Sequence, residues 1–130
     1  MTRKIIHVTL VVNDYDEAIK FYTEKLDFKL IEDTTLSESK RWVLISPNES
    51  GDFCLLLGKA ANQQQASRIG AQTGGRVFLF LHTSNFWHDY YNMQRKGIKF
   101  TREPVEETYG TVAVFEDLYG NLWDLIEKKQ

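Results

Sequence analysis

The groups in this chain best suited to chemistry are aromatic rings with arginines near them: Trp42, Phe53, Tyr109, Tyr119 and Trp123, with Arg41 and Arg76 close in sequence. Aromatic walls carrying a few directed polar groups suit a small planar or amphipathic ligand, and an arginine suits a carboxylate or phosphate on it. Strand alternation sets Trp123 opposite Asp124, which sends Trp123, and by the same rule Phe53, under the helices. Arg41, Trp42, Arg76 and Tyr109 are left as the expected ligand contacts, with Tyr109 at the rim because Gly110 follows it in a turn. The histidines offer less: His82 ends an apolar strand, His88 sits in the first turns of a helix, and neither has a partner at i+4 or a nearby Cys. No Ser-His-Asp order, Gly-rich phosphate loop or CxxC occurs, and Gly74-Gly75 is too short to cradle a phosphate.

These side chains need a scaffold, and the chain repeats one. Reading residue i against i+70 sets Asp14 on Ser84, Phe21 on Tyr91, Phe28 on Ile98, Leu30 on Phe100, Val43 on Ala113 and Leu55 on Leu125, without a gap. One supersecondary unit used twice is implied, with a shallow cleft at its seam. Residues 4–12 alternate as a strand, with His7, Thr9 and Val11 on one face and Ile6, Val8 and Leu10 on the other. Asn13 or Asp14 can cap a helix carrying Ala18, Ile19, Tyr22 and Leu26, and Asp27 ends it. Strands are expected at 28–36, 41–46 and 52–58, parted by polar turns. The polar, Gln-rich stretch 59–75 reads as a linker. After it come RVFLFLH as a strand, a helix started by Ser84 or Asn85 and closed by Gly97, and strands at 98–106, 111–116 and 121–127. Two βαβββ units result.

Composition narrows the partners. A chain of 130 residues, 42% hydrophobic with three Trp, six Tyr and eight Phe, can bury one compact core or two small ones. The net charge of −2 is spread without blocks, which speaks against nucleic acid. The single cysteine, Cys54, excludes an internal disulfide framework, and the apolar run near the start is too short for a signal peptide or membrane span. A cytoplasmic protein with no membrane partner is expected.

The phrases HVTLVVNDYDEAIKFYTEKLDF at the front, YGTVAVF later, and EDLYGNLWDLIE at the back resemble the glyoxalase, bleomycin-resistance and extradiol-dioxygenase superfamily, the vicinal oxygen chelate proteins, over essentially the whole chain. The resemblance implies a single α+β domain over 1–130, with two tandem βαβββ modules, at about 4–58 and 76–127, curled into an incomplete barrel. It also implies a homodimer, with clefts formed between modules. In metal-dependent relatives the ligands come from the first and fourth strands of each module. Those positions map to His7 and Cys54, and to Val77 and Asp124, and Val77 has no lone pair to give. A hard divalent ion would then find one imidazole and one carboxylate, whereas zinc could take His7, Cys54 and Asp124. Cys54 lies among Phe53, Leu55 and Leu56, where burial would raise its thiol pKa.

Three functions follow from the resemblance. A metal-free protein of the bleomycin-resistance kind would bind a small molecule by burial and stacking, and the aliphatic Val77 favours it. A glyoxalase-type lyase, isomerase or dioxygenase would use a divalent metal on His7 and Asp124, with Asp124 moving the proton. A regulatory or partner-binding domain is the third. The DLYGN turn, residues 117–121, is read as structural, with Gly120 or Asn121 supplying a positive φ.

Overall fold

The computed structural model describes residues 1–130. The alternating N-terminal run forms a shorter strand than its pattern suggests, β1 at His7–Val12. Leu10 and Val12 in it are fully buried, while Ile5 and Ile6 precede it exposed. Helix α1, Tyr15–Lys25, starts where the Asp14 carboxylate accepts the Glu17 N–H at 2.9 Å, with Asp16 and Glu17 in its first turn. It stops at Asp27, whose φ of 57° is the left-handed conformation a helix end requires. Three strands follow, β2 at Lys29–Thr35, β3 at Arg41–Ser46 and β4 at Cys54–Lys59. The Gln-rich stretch carries one short helix, α2, at Gln63–Ala66, capped by Asn62.

The second set repeats this order. It consists of β5 at Val77–His82, α3 at Phe86–Arg95 capped by Asn85, β6 at Lys99–Glu107, β7 at Gly110–Glu116 and β8 at Leu122–Lys128. Each set makes its own open, mixed four-stranded sheet, in the orders β1-β4-β3-β2 and β5-β8-β7-β6. The outer pairs β1–β4 and β5–β8 are parallel and the rest antiparallel. The chain divides into two compact units, Met1–Ile69 and Gly70–Gln130. No helix is long and apolar enough to cross a membrane.

Each helix covers one face of its sheet. In the first unit Tyr15, Ala18 and Tyr22 of α1 are buried along with Leu10, Val12, Val43, Ile45, Leu55 and Leu57. In the second, Phe86, Tyr90 and Met93 of α3 are buried along with Ala113, Phe115, Trp123 and Leu125. Phe115 stacks on Trp123 at 5.7 Å, and each such ring removed from water contributes about 2–3 kcal/mol. One expectation fails here. Phe53 precedes β4 instead of lying within it and stays 39% exposed. Trp87 is on the outer side of α3 at 44%. Trp123 is buried as its alternation requires.

The gapless seventy-residue register holds only in the middle of the repeat. There it is close: β2 pairs with β3 through Leu30↔Ile45 and β6 with β7 through Phe100↔Phe115, and both ladders shift at the same place, after Leu30 and after Phe100. At the last strand it slips. Val43 faces Leu57, but Ala113 faces Leu125, so the counterpart of Leu125 is Leu57 and not Leu55. The cause is the turn between β7 and β8, two residues shorter than that between β3 and β4. At the front, Leu10 faces Leu57 and Leu81 faces Leu125, which sets Leu10 on Leu81 and, one layer down, Thr9 on Phe80. The caps Asp14 and Asn85 share that spacing, and α3, one residue shorter than α1, absorbs the difference.

The short β7–β8 turn is built on Asp117, which is buried. Its carboxylate accepts the backbone N–H of Tyr119 and of Asn121 at 3.0 Å each, and the Asn121 side-chain amide at 3.0 Å. Gly120 takes the positive φ of 96°. The turn is structural, as its composition indicates.

Candidate functional site

Because β3 runs antiparallel to β4, the first residues of β3 lie beside the last of β4. Arg41 and Trp42 thereby meet Leu56, Gly58 and Lys59, and a cavity of about 330 Å³ opens between them. Its remaining walls come from Tyr15 at the start of α1, Lys40 in the β2–β3 hairpin, and Gln65 of α2. The half-buried Trp42 indole meets the His7 ring edge to face, with centroids 6.1 Å apart. This volume lies at the lower end of the range for small-molecule sites, with an aromatic ring, aliphatic side chains and several polar heads lining it.

Arg41 holds the mouth of this cavity together. Its Nε and one terminal nitrogen donate to both oxygens of Asp33 on the neighbouring strand, at 3.1 and 2.6 Å, and Nη1 donates to Asp16 of α1 at 2.9 Å. Its guanidinium carbon sits 5.1 Å from the Tyr15 ring centroid, and its backbone N–H donates to the Tyr15 hydroxyl at 3.2 Å. These contacts hold Asp33 below the usual carboxylate range, chiefly through the Arg41 hydrogen bond, and raise the Arg41 pKa further. Its charge is therefore spent on the protein's own carboxylates. Arg41, expected as a ligand contact, lines the cavity and there ties the hairpin to the helix.

The residues mapped as metal ligands fall out differently. His7 is the ladder partner of Cys54, half-exposed. The Cys54 thiol is buried at 2% and directed to the Gly51 carbonyl at 3.5 Å, and burial raises its pKa, the reverse of what a zinc-bound thiolate requires. The slipped register also changes the equivalences. The counterpart of Asp124 is Leu56 and that of Cys54 is Leu122, while His7 keeps Val77 as its counterpart, since Leu122 pairs with Val77 as Cys54 pairs with His7, at the end where the β5–β8 ladder is irregular. Cys54 and Asp124 therefore do not occupy repeated positions, and the true counterpart of Asp124 is aliphatic. Within either unit, no three His, Cys, Asp or Glu side chains come together as a cation would need.

In the second unit Asp124 faces Phe80 across β5–β8 and Val114 across β7–β8. Burial among these apolar neighbours raises its pKa, and the positive charge of Arg102 opposes the rise. Arg76 is exposed and, with Val77 and Phe80, borders an open depression. Tyr109 is 53% exposed in the β6–β7 hairpin, with its carbonyl accepting the Lys129 N–H. His82 and His88 are both exposed, as expected of a strand end and a helix's outer side. Lys40, Lys59, Tyr15 and Gln65 were not among the expected site residues. No local motif marks them, since they meet only when strand ends are brought side by side.

The paired βαβββ architecture is that of a known superfamily, and comparison with other proteins bears this out. The model of the Glyoxalase/Bleomycin resistance protein/Dioxygenase superfamily matches residues 4–125, and the chain belongs to that family. A protein of Shewanella frigidimarina is 61% identical over 128 residues, covering 98% of this chain and 95% of its own. Among solved structures, UcmS2 superposes with a TM-score of 0.84 at 34% identity, covering 97% of this chain and 98% of that one. TnmS3, an antibiotic binding protein from Streptomyces sp. CB03234, gives 0.79 at 23% identity, with 98% of both chains covered.

Proposed function

We propose that this protein binds a small, planar molecule in the Trp42 cavity of its first unit and does so without the full metal set of its catalytic relatives. The observation that carries the reading is the cavity itself: Trp42, Leu56 and Tyr15 supply flat and apolar walls, while the sheet position matching Asp124 is Leu56, which has no donor atom. The description of TnmS3 as antibiotic binding supports the class, because that protein shares the fold. Within the second unit, Arg76 and Tyr109 are ligand contacts of their own in this reading. Homodimerisation and a cytoplasmic setting belong to the same reading. Light scattering on the purified protein should return twice the chain mass.

The test uses protein dialysed against a chelator and a panel of planar aromatic compounds, read by thermal denaturation. A ligand at one hundred times its Kd should stabilise the fold by about 2.7 kcal/mol. Trp42→Ala should abolish that shift while leaving the circular dichroism spectrum unchanged. If no compound shifts the transition, or if the shift survives Trp42→Ala, the reading is wrong.

One observation favours a second reading, the metal-dependent lyase, isomerase or dioxygenase built on His7 and Asp124. A carboxyl whose pKa is raised by burial, as at Asp124, holds a proton more readily than a solvated one and is better suited to taking and returning it. Turnover that requires added divalent metal and is lost in both His7→Ala and Asp124→Asn would establish it.

A further inference from the structure

We infer that the molecule taken by the Trp42 cavity is a planar anion, seated against the indole and held by the ammonium groups of Lys40 and Lys59; this deepens the reading above and rests on it. The argument is one of charge. Lys40 enters the cavity wall from the β2–β3 hairpin and Lys59 from the end of β4, and no Asp or Glu lines the cavity. The two carboxylates that reach the cavity's lining, Asp16 and Asp33, are both bound to Arg41. Neither lysine is tied to an acid. Counting Arg41 with its two partners, the locality keeps one net positive charge, and that charge sits on the lysine side of the cavity.

A carboxylate, sulfonate or phosphate carried on a flat ring system meets both demands of such a site. The ring replaces water over the indole and aliphatic walls, and the anion accepts hydrogen bonds from two flexible ammonium heads. An uncharged ring would gain only the first, and a cationic one would be repelled. Because both lysines are solvated, their contribution should be modest and should fall with added salt.

Two fluorescent probes of one skeleton separate the terms: 1-anilinonaphthalene-8-sulfonate and its uncharged parent, N-phenyl-1-naphthylamine, each titrated into the intact protein at low salt. The sulfonate should bind about tenfold more tightly, as two exposed ion pairs would give. That preference should vanish in Lys40→Gln/Lys59→Gln and shrink in 0.5 M salt, while the uncharged probe binds both proteins alike. Trp42→Ala should weaken both probes. Equal binding of the two probes to the wild type, or a preference that survives loss of both lysines, overturns the anion inference and leaves the cavity reading standing. Binding of both probes that is indifferent to Trp42 removes the cavity reading, and this inference with it.

Discussion

The residue that most shapes the cavity is not one that would touch the ligand's ring. Arg41 joins strand, neighbouring strand and helix through Asp33 and Asp16, and its stabilisation depends on Asp33 being ionised. The pKa of Asp33 is lower in the folded than in the unfolded protein, so this contribution is present above the ordinary carboxylate range and is lost as pH falls through the folded value. Arg41→Gln should therefore lower the urea midpoint at pH 7, costing about 1 kcal/mol for a half-exposed network. Its cost should shrink as pH falls through the lowered folded value of Asp33, below which Asp33 is protonated in both states. Asp124 has the opposite sign. Its folded pKa is raised, so its ionised form weighs against the fold at neutral pH and the penalty is relieved as pH falls through that raised value. Asp124→Asn should raise the melting temperature at pH 7, with the gain disappearing below about pH 3, under the unfolded carboxylate's own value. A variant less stable than wild type at pH 7 would mean that Arg102 outweighs burial. Gly110 presents a steric case: a Cβ there would lie 2.2 Å from the Glu127 carbonyl oxygen on the adjacent strand. Gly110→Ala should cost about 3 kcal/mol by chemical denaturation, because backbone must move to admit a methyl group.

At the scale of elements, nearly every strand and helix could be read from alternation and caps, because local patterning and burial agree. Asp14 and Asn85 are caps, Asp27 and Gly97 take the left-handed positions, and the apolar faces of α1 and α3 are those that pack. The register between the halves was legible only through the β2–β3 and β6–β7 pairs. Leu55 and Leu57 are both buried leucines, so a two-residue slip against Leu125 leaves no trace in hydrophobic pattern. That slip decides which residues count as equivalent in the candidate site. Phe53 misled for a related reason, since it lies in the turn one residue short of β4. The Arg41 network and the two cavity lysines were hidden because their partners are far apart in sequence. The element that fixes the slip is the β7–β8 turn, and it depends on one buried carboxylate. Asp117→Ala leaves two backbone N–H groups and the Asn121 amide without their acceptor. It should cost about 2–4 kcal/mol in denaturant midpoint, and the loss should be only partly recovered by Asp117→Asn, which keeps one acceptor oxygen. An unchanged midpoint for Asp117→Ala would show that the turn is set by Gly120 and strand pairing alone.

For the molecule as a whole the question is whether its family's metal has a role in holding this chain together. Both units pack their helices against their sheets through apolar side chains, and of the mapped ligands Cys54 is part of that packing. The thiol is in the core, bound to Gly51, and Asp124 belongs to a different layer of the repeat from His7 and Cys54. A metal that bound the native state tightly would add RT ln(1 + [L]/Kd) to its stability, several kcal/mol at ordinary occupancy. The expected outcome is therefore specific. Protein expressed without a histidine tag and dialysed against EDTA should melt within about a degree of undialysed protein, and His7→Ala should leave elemental metal content unchanged. A melting temperature lowered by many degrees on chelation, restored by one equivalent of zinc, manganese or nickel and insensitive to metal in His7→Ala, would give the site to the enzyme reading. The Trp42 cavity would then have to be a substrate pocket served by that metal, and not a binding site sufficient in itself.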